Sequence, residues 1–319
     1  MKNRPALVLY LSAICFLCFC PIILPSFGLY LLNEMLVFGL FSYGFYLLFS
    51  HAGYLSFGQA AYFALGAYTV SLMYKHVTLD IWLPFLAVIA VTLIVATLLG
   101  YLSVRLGKLH FAFLTLAFAQ MIYAIVFRWR GFTGGDDGIP GVSRGFINIY
   151  FARFPLDSPV RFYYFSLFIF VALIFALKKM TESSFGLTLR SIRDNTERSR
   201  FIGVNTQRYI LIAFVISALY CSIAGALHAS LTKMANPELS YWTTSTEPII
   251  MTLIGGIYVF SGPFIGTVIY TLLKTYLMTL IGNWVLFLGI VLFFVVLFFR
   301  KGFMGFVEGY IARRWGIKL

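Results

Sequence analysis

The sequence predicts an all-α fold: a polytopic transmembrane helix bundle of about ten spans, with an inverted repeat relating spans 2–5 to spans 7–10. Three observations lead there. Hydrophobic residues make up 61% of the 319 and charged residues only 11%, about half the charged fraction of an ordinary soluble domain. Runs such as Leu83 to Leu99 and Val285 to Phe299 carry no charge, as segments crossing hydrocarbon must. Ten spans of roughly 21 residues each fill most of the length. Residues 1–319 therefore form a single transmembrane domain, with no room for a soluble catalytic or nucleotide-binding domain.

The spans fall near 7 to 24, 31 to 49, 55 to 74, 81 to 103, 109 to 127, 160 to 177, 209 to 231, 247 to 260, 263 to 282 and 284 to 299. The first follows Lys2 and Arg4 and resembles a signal peptide, but no small-x-small site precedes Pro25, so it is expected to stay as a span. With a cytoplasmic N-terminus, sixteen basic residues lie inside and seven outside, the bias that sets orientation. The excess charge of +13 is thus read as topology rather than as a nucleic-acid surface. Both termini, the 178–208 loop and the basic 300–319 tail are expected in the cytoplasm. Spans 2–5 then begin outside and spans 7–10 inside, the relation of an inverted repeat.

Two stretches interrupt the spans. His51 to Gly58, containing Gly53 and Gly58, separates two apolar runs without a charge, and Gly255, Gly256, Gly262, Pro263 and Gly266 crowd the eighth and ninth spans. Such clusters mark either broken helices along a translocation pathway or close packing through small residues, as at Ser56, Ala60 and Ala64. Spacing leaves both open. Outside, Thr133-Gly-Gly-Asp-Asp-Gly138 reads as a turn built on Gly134, Gly135 and Gly138, because calcium loops need alternating carboxylates.

Catalytic signatures are missing. Gly100 to Lys108 lacks the spacing of a Walker A loop, and no zinc-binding helix, nucleophile elbow or His-carboxylate cluster occurs. His51, His76, His110 and His228 are scattered, and Cys15, Cys18, Cys20 and Cys221 sit within apolar runs without a second ligand pair. The chain is not expected to be an enzyme, and neither metal nor cofactor is expected on it.

The 178–208 loop differs from the rest. Phe185, Leu189, Ile192 and Ile202 recur at helical spacing with Ser199 on the same face, and Arg193/Glu197 and Asp194/Arg198 are i,i+4 pairs. One short helix ending at Gly203 is expected. It either lies at the headgroups or docks into a cytoplasmic partner.

Here the chain resembles a known family. Ser184-Phe-Gly-Leu-Thr-Leu-Arg-Ser-Ile-Arg-Asp-Asn-Thr-Glu-Arg-Ser-Arg-Phe-Ile-Gly203 is similar to the cytoplasmic coupling loop of branched-chain amino acid ABC transporter permeases of the LivM type. Further matches run in family order: Gly53-Tyr-Leu-Ser-Phe-Gly-Gln-Ala-Ala-Tyr-Phe-Ala-Leu-Gly-Ala-Tyr68, the 133–138 turn, Ser217 to Ala226, Asn236-Pro-Glu238 and Gly255 to Gly266. The resemblance implies a permease subunit of an ATP-driven importer in a bacterial cytoplasmic membrane. Its partners are then a homologous LivH-type permease, two cytoplasmic ATPases carrying the ATP and Mg²⁺, and a periplasmic binding protein. It further implies that Arg190 to Gly203, Glu197 included, transmits ATPase closure, with Arg193 and Asp194 making polar contacts and Ile192 and Ile202 anchoring in the ATPase groove.

Departures bear on the solute. Tyr258 stands where the family usually has glycine, and Arg198 and Ser199 stand where alanines are common. Relatives also carry urea and other small amides or acids. Lys274, inside the ninth span, is expected to snorkel outward rather than face a cavity. An ion-coupled secondary transporter is the competing class, for which Glu34, Glu247 and Lys274 are the candidates, both glutamates falling near expected span ends.

Overall fold

The computed structural model describes residues 12, 15–21, 24–149, 152–280, 286–290, 293 and 302–306. Helix α1 (Ser26–Tyr46) runs on into a π-helical turn, Leu47–Ala52. There follow α2 (Gln59–His76), α3 (Trp82–Ser103), α4 (Lys108–Arg128) and α5 (Pro159–Glu182). Two short helices, α6 (Ser184–Asp194) and α7 (Thr196–Phe201), precede α8 (Thr206–Thr232), α9 (Trp242–Gly255) and α10 (Gly262–Leu280).

Among the described residues, six helices are long and apolar enough to cross a membrane: α1 with its π turn, α3, α4, α5, α8 and α10. The chain is a multi-pass membrane protein. Helices α2 and α9 overlie the expected third and eighth spans, but the 14 residues of α9 reach only ~21 Å, short of a hydrocarbon layer of roughly 30 Å. Residues 15–21 and 286–290 are helical; the rest of the expected first and tenth spans, and most of the 300–319 tail, lie outside the described residues.

Acyl chains are as apolar as leucine, so helices in a membrane associate by close packing and internal hydrogen bonds rather than by transfer of apolar surface from water. The most apolar windows of α1 and α8 are 83% and 72% buried, against 28% and 22% for α3 and α4. The first pair forms the centre and the second presents apolar side chains outward, as lipid requires. At the α2–α8 crossing, Gly66 lies against the Ser222 carbonyl and Gly225 against the Phe63 carbonyl, where a Cβ would overlap backbone atoms. Gln59 Nε2 donates to Ser217 Oγ at 3.1 Å, Ser217 Oγ donates to the Gly44 carbonyl at 2.5 Å, and Cys221 Sγ donates to Gln59 Oε1 at 2.9 Å. This satisfied polar network joins α1, α2 and α8 in the interior.

The all-α expectation needs one amendment. Within the 128–159 loop, β2 (Phe146–Ile149) pairs antiparallel with β3 (Ala152–Pro155). Before it, β1 (Ile139–Pro140) pairs with β4 (Met234–Ala235), Ile139 opposite Ala235 and Pro140 opposite Met234. Loop backbone folded onto a bundle end must find partners for its N–H and C=O groups, and short ladders supply them.

Candidate functional site

Helix α6 lies across one end of the bundle because its sequence is amphipathic. Gly186, Leu189 and Ile192 are buried in the bundle, while Arg190 and Asp194, and Glu197 of α7, face outward. Arg193 is the fastening. Its Nη1 donates to the Ser50 carbonyl at 2.6 Å, and its guanidinium lies 5.9 Å from the centre of the Tyr258 ring. Lys108 Nζ, at the start of α4, donates to the Arg193 carbonyl at 3.2 Å. Arg190 Nη2 and His51 Nε2 stand 3.4 Å apart. Gly53, with φ +72°, presses its backbone against the Arg193 side chain.

The π turn that receives Arg193 is also tied to the second break, since Ser50 Oγ donates to the Ile257 carbonyl. That break is the connection between α9 and α10. Gly256 has φ +118°, a conformation that side-chain-bearing residues rarely adopt, and it ends α9 at Gly255 rather than at the expected 260. Gly255 faces the Gly262 carbonyl and Gly266 the Met251 carbonyl, so the two helix backbones touch. Pro263 is buried in the first turn of α10, where its missing N–H costs nothing. Gly58 caps the start of α2 against Thr115 of α4. Helix interruptions and close packing through glycine thus occur together at these positions. Gly302, in the tail, rests on Gly256, which brings the tail to the end of the bundle that carries α6.

Three expectations for the coupling segment require correction. The single helix is two, because Asn195 turns out of helical geometry and caps α7 by accepting from the Arg198 N–H at 2.9 Å. The pairs Arg193/Glu197 and Asp194/Arg198 therefore do not form, and Arg193 Nε instead meets Asp194 Oδ1 at 3.2 Å. Ile192 is fully buried in the protein's own core and is no surface anchor. Ile202 is 71% exposed and its neighbour Phe201 89%, with Gly203 at φ +88° beside them. Phe201 was missed by periodicity. The signal was available as two adjacent apolar residues inside a charged stretch.

At the opposite end, Gly134, Gly135 and Gly138 all have positive φ, and Gly138 packs on the Ala235 carbonyl. The turn seats the loop beside β4. Arg144 anchors it, donating from Nη1 to the Asp157 carbonyl at 3.0 Å and from Nε to the Ser230 carbonyl at 3.4 Å, beside the Phe162 ring. Burial pushes the Arg144 guanidinium below its ordinary pKa, and the Asp157 carboxylate opposes that shift.

Lys274 does not snorkel. Its Nζ meets Glu247 Oε1 at 3.0 Å, with the two side chains 21% and 18% exposed, and Tyr270 donates to the same oxygen at 3.4 Å. Glu34 of α1 lies within electrostatic reach of both. The ring of Phe38 takes Lys274 Nζ at 5.8 Å and the His228 imidazole at 5.7 Å.

Residues 28–296 match the family model described as the branched-chain amino acid transport system permease component. The chain is similar to the high-affinity branched-chain amino acid transport system permease protein LivM of Escherichia coli (strain K12), 24% identical over 213 residues, 60% of this chain and 50% of the relative. The LivM of Salmonella typhimurium matches to the same extent. The probable ABC transporter permease protein YphD of Escherichia coli is 26% identical over 45% of this chain and 40% of its own length. The chain spans about half the length of the LivM relatives it matches. No solved structure matches it.

Proposed function

The chain belongs to the branched-chain amino acid transport permease family, and from that premise we propose that it is the membrane-spanning subunit of an ATP-driven importer of branched-chain and other hydrophobic amino acids. In this reading it is a transport subunit and not an enzyme. It works in a bacterial cytoplasmic membrane beside a homologous second permease, two ATPases that hold ATP and Mg²⁺, and a periplasmic binding protein. In this reading the first and last spans would complete ten membrane segments in two inverted halves, the short α9 counted among them, and α6 and α7 would lie on the cytoplasmic side.

One observation carries the proposal: Arg193 joins the outward-facing α6–α7 pair to both helix breaks at once. Force applied to Phe201, Ile202 and the surrounding charges by a closing ATPase dimer would pass through Arg193 to the Ser50 carbonyl and the Tyr258 ring. Those groups belong to α1 and to the α9–α10 connection, the irregular segments that alternating access moves. Purification of the tagged chain from membranes should yield two ATPase subunits, and the reconstituted complex should accumulate leucine only with ATP. Recovery without ATPases, or uptake driven by an ion gradient alone, refutes it. The second outcome would favour the ion-coupled class, to which the Glu34, Glu247 and Lys274 cluster lends its one specific support.

A further inference from the structure

We propose that Glu34, Glu247, Lys274 and His228 form the position where the charged end of the solute is held, with Glu34 taking a primary ammonium group. The inference rests on the reading of the chain as an amino-acid permease and adds the residues and the chemical class they select. Depth comes first. Glu34 lies eight residues into α1 and Lys274 twelve residues into α10, about 12 and 18 Å from the respective helix starts. These helices enter from opposite ends, so the groups converge well inside the bilayer, where transporters hold their solutes.

Charge comes second. Lys274 is matched by Glu247 through a direct ion pair, which leaves Glu34 as a second carboxylate facing one ammonium. Among the described residues Glu34 makes no hydrogen bond. An intramembrane carboxylate without its own counter-charge is costly and marks a functional site, and a cation arriving with the solute supplies what is missing. Carboxylates and side chains open by about a fifth at that depth face water or protein rather than acyl chains, and α1 is the most enclosed of the spanning helices.

The neighbouring imidazole is the independent sign of a ligand. His228 Nδ1 is enclosed and without a hydrogen-bond partner among the described residues, although its ring is held between Phe38 and Phe63 at 5.7 and 5.3 Å. A neutral imidazole nitrogen accepts a hydrogen bond from an ammonium group. The aromatic wall of Phe38 and Phe63 suits an aliphatic side chain next to that group. Urea, which has no charge, would leave Glu34 unmatched, so the site discriminates against it.

The test is uptake by the complete reconstituted transporter of L-leucine, of 4-methylpentanoate, which is leucine without its amino group, and of urea. Wild type, Glu34→Gln and Glu34→Asp are compared at equal membrane abundance. Wild type should favour leucine. Glu34→Gln should lower the ratio of leucine to 4-methylpentanoate uptake at least about tenfold, the scale of one charge-assisted hydrogen bond, and Glu34→Asp should keep most of it. An unchanged ratio in Glu34→Gln overturns the proposal and leaves the permease reading standing. Equal loss of both solutes in both variants overturns it too, by making the cluster a structural lock. A wild type that carries urea but not leucine overturns the amino-acid reading and this inference together.

Discussion

Arg193 and Ser50 are 143 positions apart in sequence and are joined by a hydrogen bond of 2.6 Å from guanidinium to backbone carbonyl. The bond is charge-assisted, a class roughly twice as strong as neutral ones, and it ends on a π turn, a feature frequently found at functional sites. A helix that lies outside the bundle thereby holds the backbone of its most central member.

Replacement of Arg193 by Met should keep the apolar stem and remove the donor. The assembled complex should form, while leucine uptake should fall at least about tenfold relative to ATP hydrolysed, since one hydrogen bond to a charged group is worth ~1.5–3 kcal/mol. Hydrolysis and uptake measured on the same preparation decide the matter, and a wild-type ratio would mean that the Arg193 link transmits nothing.

Phe201→Ser with Ile202→Ser changes two side chains that are 89% and 71% exposed. Thermal stability of the isolated permease should move by no more than about 0.5 kcal/mol per site, as surface substitutions do, yet fewer ATPase subunits should co-purify. Normal recovery of ATPases would reject these residues as their anchors.

Gly256→Leu should overpack the break, since Gly256 has φ +118° and supports Gly302. Backbone strain of about 1–3 kcal/mol adds to a similar cost of overpacking, so the variant should denature at lower temperature and transport poorly. Wild-type melting and uptake would show that the connection tolerates bulk.

Lys274→Met alone strands Glu247 and should destabilise the protein by ~3–5 kcal/mol. Lys274→Met with Glu247→Met should recover part of this, because apolar replacement of a buried pair is often neutral, while Glu34 is left without a cation beside it. A double variant no better than the single one would show that the pair is not energetically coupled.

Orientation is tested with Ser191→Cys, at an exposed position of α6. A membrane-impermeant thiol reagent should label it in inverted vesicles and not in intact cells. Labelling of intact cells would reverse the topology and remove the ATPase from consideration.

Most of the helices were legible because uncharged runs leave little other choice in hydrocarbon, and α3, α4 and α8 match their expected spans within a few residues. Asn195 was harder. An asparagine is a good helix cap, but Leu189, Ile192 and Ser199 keep a helical period across it, and the period concealed the stop. The period also identified Ile192 as apolar without saying whether bundle or partner covers it. Lys274 was misjudged because its direction depends on Glu247, 27 positions away on another helix, and no local pattern encodes that meeting. Strand β1 escaped for the same reason, as it needs β4 nearly a hundred residues later.

The ladder of β1 and β4 fastens the loop that follows α4 to the chain that leaves α8, with Val142 N donating to the Lys233 carbonyl and Arg144 bonded to Ser230 alongside. A body clasped at one end yields mainly by swinging about the clasp. Displacement then grows with distance from it, so a small tilt would be almost unfelt at Ala235 and greatest at the end where α6 lies. In the importer proposed above, the molecule would work as tongs, with the hinge at the β1–β4 end and the handles at the end that carries α6.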